Sequence, residues 1–410
     1  MSSTMTESVY VGRHPIYDRH LNVHAYELLY RGSRTNQAGV IDGNTATSHV
    51  LINTFLEIGL DRLTDHHPAF INLTRDFFLD PELSLPVASV VLEVLEDIDI
   101  DDEFVRAIRR LRERGYSIAL DDFAFEEKWD PLLELADYIK VELPAVPLDE
   151  LADRLPRLRR YNARLLAEKV ETHEEFERVM RLGFHYFQGY FFCKPNVVEG
   201  KRVTANVGAV FSLLARLQKP DVAVDELEML VSNDASVAFK LLRYLNSAHF
   251  GLGSNRFRSI RQAIVFLGVR QLRSWVALLA VCGIKGKPSE LSRMALRRAR
   301  QCEQFCVRCM TDYDSESFFM AGLFSVLDAQ MDLPMAEVLQ HLPVSEDIKE
   351  ALLERTGRIG AILDAVIEWE LGNPIKAETL PVRLGSPDVS AVFLEALFWA
   401  DEQWKGLEAV

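Results

Sequence analysis

Seven short apolar segments in the first half of the chain each lead into a polar residue. Longer amphipathic stretches with the apolar spacing of helices lie between them, for example at 101–114 and 173–182. This alternation predicts parallel strands connected by helices, with Asp101 and Thr172 as helix N-caps. The predicted strands are 23–29, 69–73, 90–94, 117–121, 138–141, 164–168 and 185–190, and a further helix is predicted at 47–60.

The polar residues at the ends of these segments are the candidate functional groups. They are Glu27, Asn72, Glu93, Asp121 with Asp122, Lys140, Glu168 and Gln188. In a parallel barrel the carboxyl ends of all strands share one face. Carboxylates gathered there cannot all stay ionised without a counter-charge, so the pattern predicts a divalent cation, and oxygen ligands favour magnesium, manganese or calcium. A lysine among them fits the activation of a water for phosphodiester hydrolysis. For any single residue, the alternative is a strand that merely ends in solvent.

The pattern changes after Pro195, where the periodic segments become helical. Predicted helices include 208–217, 237–246, 260–267, 271–281, 291–313 and 317–330. We therefore predict an α/β barrel over 9–196 and an all-helical domain over 207–410, with the boundary in the polar stretch 196–206.

Composition limits the classes of partner. The chain has 46 basic and 61 acidic residues, a net charge of −15, which argues against nucleic acid as a partner despite basic stretches at 154–160 and 255–258. The longest apolar run, 275–284, is too short to span a membrane, and no export signal is evident at the N-terminus. Together with five cysteines and no disulfide pattern, this predicts a cytoplasmic protein.

Three of those cysteines, Cys302, Cys306 and Cys309, have a spacing that can hold an iron–sulfur cluster. The same spacing places them on one face of a helix, where cysteine acts as a small apolar core residue. We favour the second interpretation because the segment does not follow a strand.

The first half resembles the EAL family of cyclic-di-GMP phosphodiesterases, which have a TIM-like barrel. The namesake Glu-Ala-Leu appears as Glu27-Leu28-Leu29, followed by Tyr30-Arg31. The other matching pieces are Ile71-Asn72-Leu73, Leu92-Glu93-Val94-Leu95-Glu96, Leu120-Asp121-Asp122-Phe123, Asp137-Tyr138-Ile139-Lys140, Ala167-Glu168-Lys169-Val170-Glu171-Thr172 and Gln188-Gly189-Tyr190-Phe191.

This resemblance implies a role for each matching residue. The implied ligands of magnesium or manganese are Glu27, Asn72, Glu93, Asp121 and Glu168, with Asp122 serving a second metal. Lys140 would hold the attacking water, Arg31 and Gln188 would contact cyclic-di-GMP, and Glu96 would brace the loop after Asp122. A homodimer is also implied.

The chain departs from the family pattern in that loop. The family's Gly-Thr-Gly is replaced by Ala124-Phe125-Glu126, and glycines permit backbone angles that these residues resist. Other departures are His14 for glutamine, Leu28 for alanine, Glu142 for aspartate and Lys169 for glycine. The altered loop favours a divergent barrel that binds cyclic-di-GMP or acts as a scaffold. The alternative is an active metal-dependent phosphodiesterase that releases linear pGpG.

The second half resembles the HDOD domain, a helical signalling module related to HD phosphohydrolases. The matching residues are 240–248 (Lys-Leu-Leu-Arg-Tyr-Leu-Asn-Ser-Ala), Phe250-Gly251, 259–264 and Leu267-Gly268. Ser325 and Val326 stand where the metal-binding His-Asp pair of an HD hydrolase would be. The resemblance therefore implies a non-catalytic module that contacts other signalling proteins.

Overall fold

The computed structural model describes residues 10–31, 59–194, 214–217, 223–232, 237, 241, 259–282, 287–310, 314–342, 344–371, 373 and 386–408. The chain divides into two compact units, Met1–Phe192 and Cys193–Val410. The predicted domain limits of 9–196 and 207–410 stay predictions. The predicted helix at 47–60, except for its last two residues, and most of those at 208–217 and 237–246 lie outside the described residues.

The first unit is a closed barrel whose strands follow one another around the barrel in chain order. The strands are β1 Tyr10–Tyr17, β2 Val23–Arg31, β3 Ala69–Leu73, β4 Val90–Val94, β5 Ser117–Leu120, β6 Tyr138–Glu142, β7 Arg164–Glu168 and β8 Tyr186–Phe187. Neighbouring strands from β2 to β8 are parallel, whereas β1 is antiparallel to both β2 and β8. The predicted TIM-like barrel is confirmed.

Two details of the strand prediction are wrong. The sequence did not indicate β1, because Gly12, Arg13 and Pro15 interrupt the alternation that marks a strand, and its antiparallel direction departs from an all-parallel sheet. The segment 185–190 contains a strand of only two residues. The chain turns at Gly189, where a Cβ would lie 2.1 Å from the carbonyl oxygen of Val170, so only glycine fits there.

Helices connect the parallel strands and cover the outside of the sheet. They are α1 Leu60–Thr64, α2 Arg75–Leu79, α3 Asp102–Glu113, α4 Asp130–Leu133, α5 Leu148–Arg154 and α6 His173–Leu182. Asp101 caps α3 by accepting a hydrogen bond from the backbone N–H of Phe104, and Thr172 forms a capping box with Glu175 at α6. Both predicted caps are therefore confirmed.

The barrel interior is apolar in the half that lies toward the amino-terminal ends of the parallel strands, which we call the lower half. One residue from each strand enters this layer: Ile16, Ala25, Phe70, Val91, Ala119, Tyr138, Leu166 and Tyr186. Side chains alternate between the two faces of a strand, so on every strand the residue two positions away also points into the barrel. These second inward residues lie nearer the rim formed by the carboxyl ends of the parallel strands, which we call the upper rim. The apolar layer thus forms the floor of the site.

The second unit is helical over its described residues. Its helices are α7 Val224–Ser232, α8 Ile260–Cys282, α9 Ser289–Cys309, α10 Ser315–Phe324, α11 Leu327–Met331, α12 Met335–His341, α13 Glu346–Glu354, α14 Gly357–Glu370 and α15 Ser386–Glu408. Helix α9 packs against α10 and α15. Helix α8 bends at Gly268, whose φ of 72° separates the predicted segments 260–267 and 271–281. None of the described helices is long and apolar enough to cross a membrane.

The predicted helix 317–330 is wrong as a single element, because α10 ends at Phe324 and α11 begins at Leu327. The Ser325 hydroxyl donates to the carbonyl oxygen of Gly322 at 2.7 Å, a local bond of the kind that competes with continued helix.

Candidate metal and phosphodiester site

A polar layer lies directly above the apolar floor of the barrel, with one side chain from each strand. Its members are His14, Glu27, Asn72, Glu93, Asp121, Lys140, Glu168 and Gln188, each two residues from its strand's member of the apolar layer. Asp121 follows β5 and Gln188 follows β8, whereas the others lie within their strands. The two-residue period of the strands therefore brings the predicted strand-end residues to one rim.

The ammonium of Lys140 lies at the centre of this polar layer. Lys140 is fully buried, and its Nζ is 2.6 Å from Glu93 Oε1 and 2.6 Å from Asp121 Oδ1. The same atom is 3.0 Å from Glu168 Oε1 and 3.2 Å from Glu27 Oε1. One positive charge thus joins four carboxylates contributed by four different strands.

A single ammonium cannot balance four ionised carboxylates in a buried site, and the protonation of the layer reflects this. Burial raises the pKa of Glu93 well above its usual range and that of Glu168 to about 8, although Lys140 opposes both shifts. Burial alone would also raise the pKa of Glu27, but Lys140, followed by His14, holds it below the ordinary value. Burial would lower the pKa of Lys140, yet Glu168 and the other carboxylates keep it raised, so the lysine stays charged. The layer has more negative potential than its own cation neutralises.

Gln188 and His14 lie beside Glu27. The Gln188 Nε2 donates to Glu27 Oε2 at 2.6 Å, while Gln188 Oε1 is buried and accepts no hydrogen bond in the described part of the chain. His14 lies opposite Glu27 in the β1–β2 register. Sequence reasoning noted His14 only as a departure from the family pattern, because its place in the layer depends on the unpredicted strand β1.

A second group of carboxylates extends the layer toward the outer rim. Oxygens of Asp121, Asp122 and Glu168 lie within 4.8 Å of one another, the one such group of three among the described residues. Asp122 has a left-handed φ of 42°. Its pKa is raised to about 6, first by burial and then by the charges of Asp121 and Glu142.

These donors fit a divalent cation. Glu93 Oε2 and Glu168 Oε2 are buried and accept no hydrogen bond from any described residue. Several carboxylates and an amide, all oxygen donors, are the ligands that magnesium and manganese prefer.

Three predicted site residues contribute less directly to this arrangement. Asn72 belongs to the layer by alternation and is half-buried. Arg31 ends β2, and its side chain lies outside the described structure. Glu96 is exposed, and its link to the loop after Asp122 is a 2.9 Å hydrogen bond that its backbone carbonyl accepts from Lys128. The predicted functional roles of all the site residues stay predictions.

The loop after Asp122 is fixed by contacts along its length. Phe125 takes a left-handed φ of 62°, its ring lies 5.1 Å from that of Phe123, and its carbonyl oxygen accepts a 2.8 Å hydrogen bond from Arg157. Trp129, at the end of the loop, is buried. Phe125 thus takes a backbone angle that residues other than glycine resist, and packing and a hydrogen bond hold it there.

In the helical unit, Ser325 and Val326 stand where an HD hydrolase would have its metal-binding His-Asp pair, and both make other contacts. The Ser325 hydroxyl accepts a 3.2 Å hydrogen bond from Arg298, which also pairs with Glu370 at 2.7 Å, and Val326 is buried. Cys302 and Cys306 are buried in α9, and burial raises the pKa of Cys302 to about 12. The side chain of Cys309 lies outside the described structure. These observations agree with core packing of the two described thiols.

Comparison with known proteins identifies both parts of the chain. Residues 206–337 match the family model of the HDOD domain. The cyclic di-GMP phosphodiesterase CdgJ of Vibrio cholerae is 32% identical over 96% of this chain and 93% of its own length. The uncharacterized protein YuxH of Bacillus subtilis is 33% identical over 95% of this chain and 98% of its own length. The solved EAL domain of Mycobacterium smegmatis DcpA is 22% identical, with a TM-score of 0.37, over 45% of this chain and 91% of that domain. On the strength of the nearly full-length relatives, the chain belongs to the EAL-domain cyclic-di-GMP phosphodiesterase family, in the form that carries an HDOD domain after the barrel.

Proposed function

We propose that the barrel binds cyclic-di-GMP at its polar rim and, with a divalent cation, hydrolyses one phosphodiester bond to give linear pGpG. The observation that carries this proposal is the polar layer, in which four strands direct carboxylates at the Nζ of Lys140. A structural ion pair needs one carboxylate for one lysine. The excess of buried carboxylate is a cost to folding that a cation-binding role explains.

Glu27, Asn72, Glu93, Asp121 and Glu168 would hold a magnesium or manganese ion, with Asp122 on the outer side. When bound, such an ion supplies Lewis acidity toward a phosphoryl oxygen and makes water a stronger nucleophile. The carboxylates would hold it in place because they come from different strands of a closed barrel, which resists displacement of any one of them.

Lys140 is the residue that we assign to the attacking water. Its ammonium is held charged by the surrounding carboxylates, and its three N–H donors now face four carboxylates. One donor could orient a water where a bound cation takes over carboxylates that the ammonium contacts here. Hydrolysis adds that water to phosphorus and breaks the bond to the leaving ribose oxygen, which takes up a proton.

Two further groups would bind the dinucleotide. Gln188 keeps Oε1 as an acceptor for a ligand N–H or O–H, because its amide nitrogen is already bonded to Glu27. Arg31, at the upper end of β2, would contact a phosphate.

The second candidate function is a receptor that binds cyclic-di-GMP without turnover, or a scaffold. The changed loop after Asp122 favours it, because Ala124, Phe125 and Glu126 stand where the resembling family has Gly-Thr-Gly. In either case we propose that the HDOD domain contacts other signalling proteins.

The two candidates are separated by calorimetry and product analysis on the full chain with Mn²⁺ and cyclic-di-GMP. We expect wild type to bind the dinucleotide and form pGpG. Glu27→Ala should lower turnover by on the order of 100-fold or more, because a cation ligand and the Gln188 contact are both lost. Glu113→Ala, which removes an exposed carboxylate on α3, should behave as wild type. Binding without product would favour the receptor. Absence of binding would refute both the phosphodiesterase and the receptor and would leave only the scaffold.

A further inference from the structure

The outer part of the rim carries a second lysine. Lys169 directly follows Glu168, the last residue of β7, and its Nζ lies 2.7 Å from Glu142 Oε1 at the end of β6. Glu142 and Glu168 are register partners, so this ion pair closes the top of adjacent strands. The Lys169 side chain is 61% exposed, so its ammonium lies at the surface of the rim.

The backbone at Lys169 is left-handed, with a φ of 52°. Residues with a Cβ rarely take this conformation, and it persists where the surrounding structure enforces it. The lysine follows Glu168 directly at this turn, and its ammonium is influenced by the charges of Asp122 and Glu168 as well as by its bond to Glu142.

The charges of the rim separate into an inner and an outer set. The inner set is the four carboxylates around Lys140. The outer set consists of Asp122 and Glu142, and Lys169 acts on both: it bonds to Glu142, and its charge opposes the repulsion that Asp122 experiences from Asp121 and Glu142. The outer pair of carboxylates therefore has a cation of its own.

We propose that Lys169 provides a fixed positive charge at the outer rim and that the barrel consequently binds one divalent cation instead of two. This inference rests on the proposed function, since it assumes that the inner carboxylates bind a cation. The ammonium is paired with Glu142 and its charge acts on Asp122, so a second divalent ion held by Asp121, Asp122 and Glu168 would be repelled by it. Lys169 thereby sets the number of metal ions through charge.

The test measures the number of Mn²⁺ ions bound per chain, by titration calorimetry and electron paramagnetic resonance, on the full EDTA-treated chain without substrate. We expect one ion for wild type and one for Lys169→Arg, which keeps the charge. Lys169→Gly, which removes the charge and suits the left-handed backbone, should bind two, with the dipolar broadening of neighbouring Mn²⁺ ions. Lys349→Ala, which changes a half-buried lysine of α13 in the helical unit, is the control and should bind one.

Two ions bound to wild type would overturn this inference and leave the proposed function intact. An unchanged single ion in folded Lys169→Gly, with folding checked by circular dichroism, would also overturn it, because another group would then set the number. No ion bound to wild type or to any variant would refute the cation site itself, and with it the proposed function.

Discussion

Replacing Lys140 by methionine removes the one charge that joins the four carboxylates of the polar layer. Methionine approximates the length of the lysine stem, so the change removes the ammonium with little loss of volume. We expect the metal-free barrel to lose stability and divalent cations to restore it.

The magnitude follows from the burial of the group. Lys140 is fully buried, and 3.2 Å from it lies the buried Glu27, whose pKa the lysine holds below its ordinary value. Removing one partner of a buried ion pair costs about 3–5 kcal/mol. For a unit of this size that corresponds to a fall of roughly 6–20 °C in the unfolding temperature. The loss should approach this range at pH 8.5, above the pKa of about 8 of Glu168, and shrink at pH 5.5, where protonated carboxyls no longer need a counter-charge.

The assay is thermal and urea unfolding of the full chain at pH 8.5, in EDTA and in Mn²⁺. Lys128→Met is the matched control, because Lys128 is partly exposed and its pairing with Glu126 at 3.1 Å should contribute about 0–1 kcal/mol. Manganese should stabilise Lys140→Met more than wild type, since in wild type the ammonium already occupies the charge-balancing position. Equal midpoints for wild type and Lys140→Met in EDTA, or equal stabilisation of both by Mn²⁺, would refute this reasoning.

Two further changes test the loop and the floor of the barrel. Replacing Ala124, Phe125 and Glu126 by Gly, Thr and Gly should raise the hydrolysis rate if the loop limits turnover. The same change should destabilise the barrel by about 1–3 kcal/mol, because the packing of the Phe125 ring is lost. If the folded variant is inert while wild type is active, the natural loop supports turnover as it is. His24 is stacked on Tyr186, and burial, followed by the charge of Arg164, lowers its pKa to about 4 from an ordinary 6.5. Because the unfolded chain then binds more protons than the folded one, stability should fall as the pH drops from 6.5 to 4, by roughly 1–2 kcal/mol after allowance for the partial exposure of the ring. His24→Phe keeps the stack and should abolish this part of the pH dependence in urea unfolding, and an unchanged pH profile would contradict the assignment.

The regular β/α elements of the barrel could be predicted from local pattern. Strands such as Ala69–Leu73 and Val90–Val94 are apolar because both of their faces are buried, and Asp101 and Thr172 mark helix starts through bonds made within a few residues. β1 could not be predicted in this way, because its pairing with β2 and β8 compensates for the Gly12 and Pro15 that weaken its local preference. The break at Ser325 in the helical unit is a similar case, since the apolar spacing continues across it.

The sequence by itself determined which chemical groups stand at the strand ends, because the two-residue period and the strand boundaries are local properties. It therefore contained the identity of the carboxylates, of Lys140 and of Gln188. Only the tertiary structure decided how these groups interact. Closure of the barrel places Lys140 among four carboxylates, brings His14 beside Glu27 from an antiparallel strand, and joins Lys169 to Glu142 across β6 and β7. These contacts join residues far apart in the chain, and the charge balance among them depends on distances of a few ångströms that no local pattern specifies.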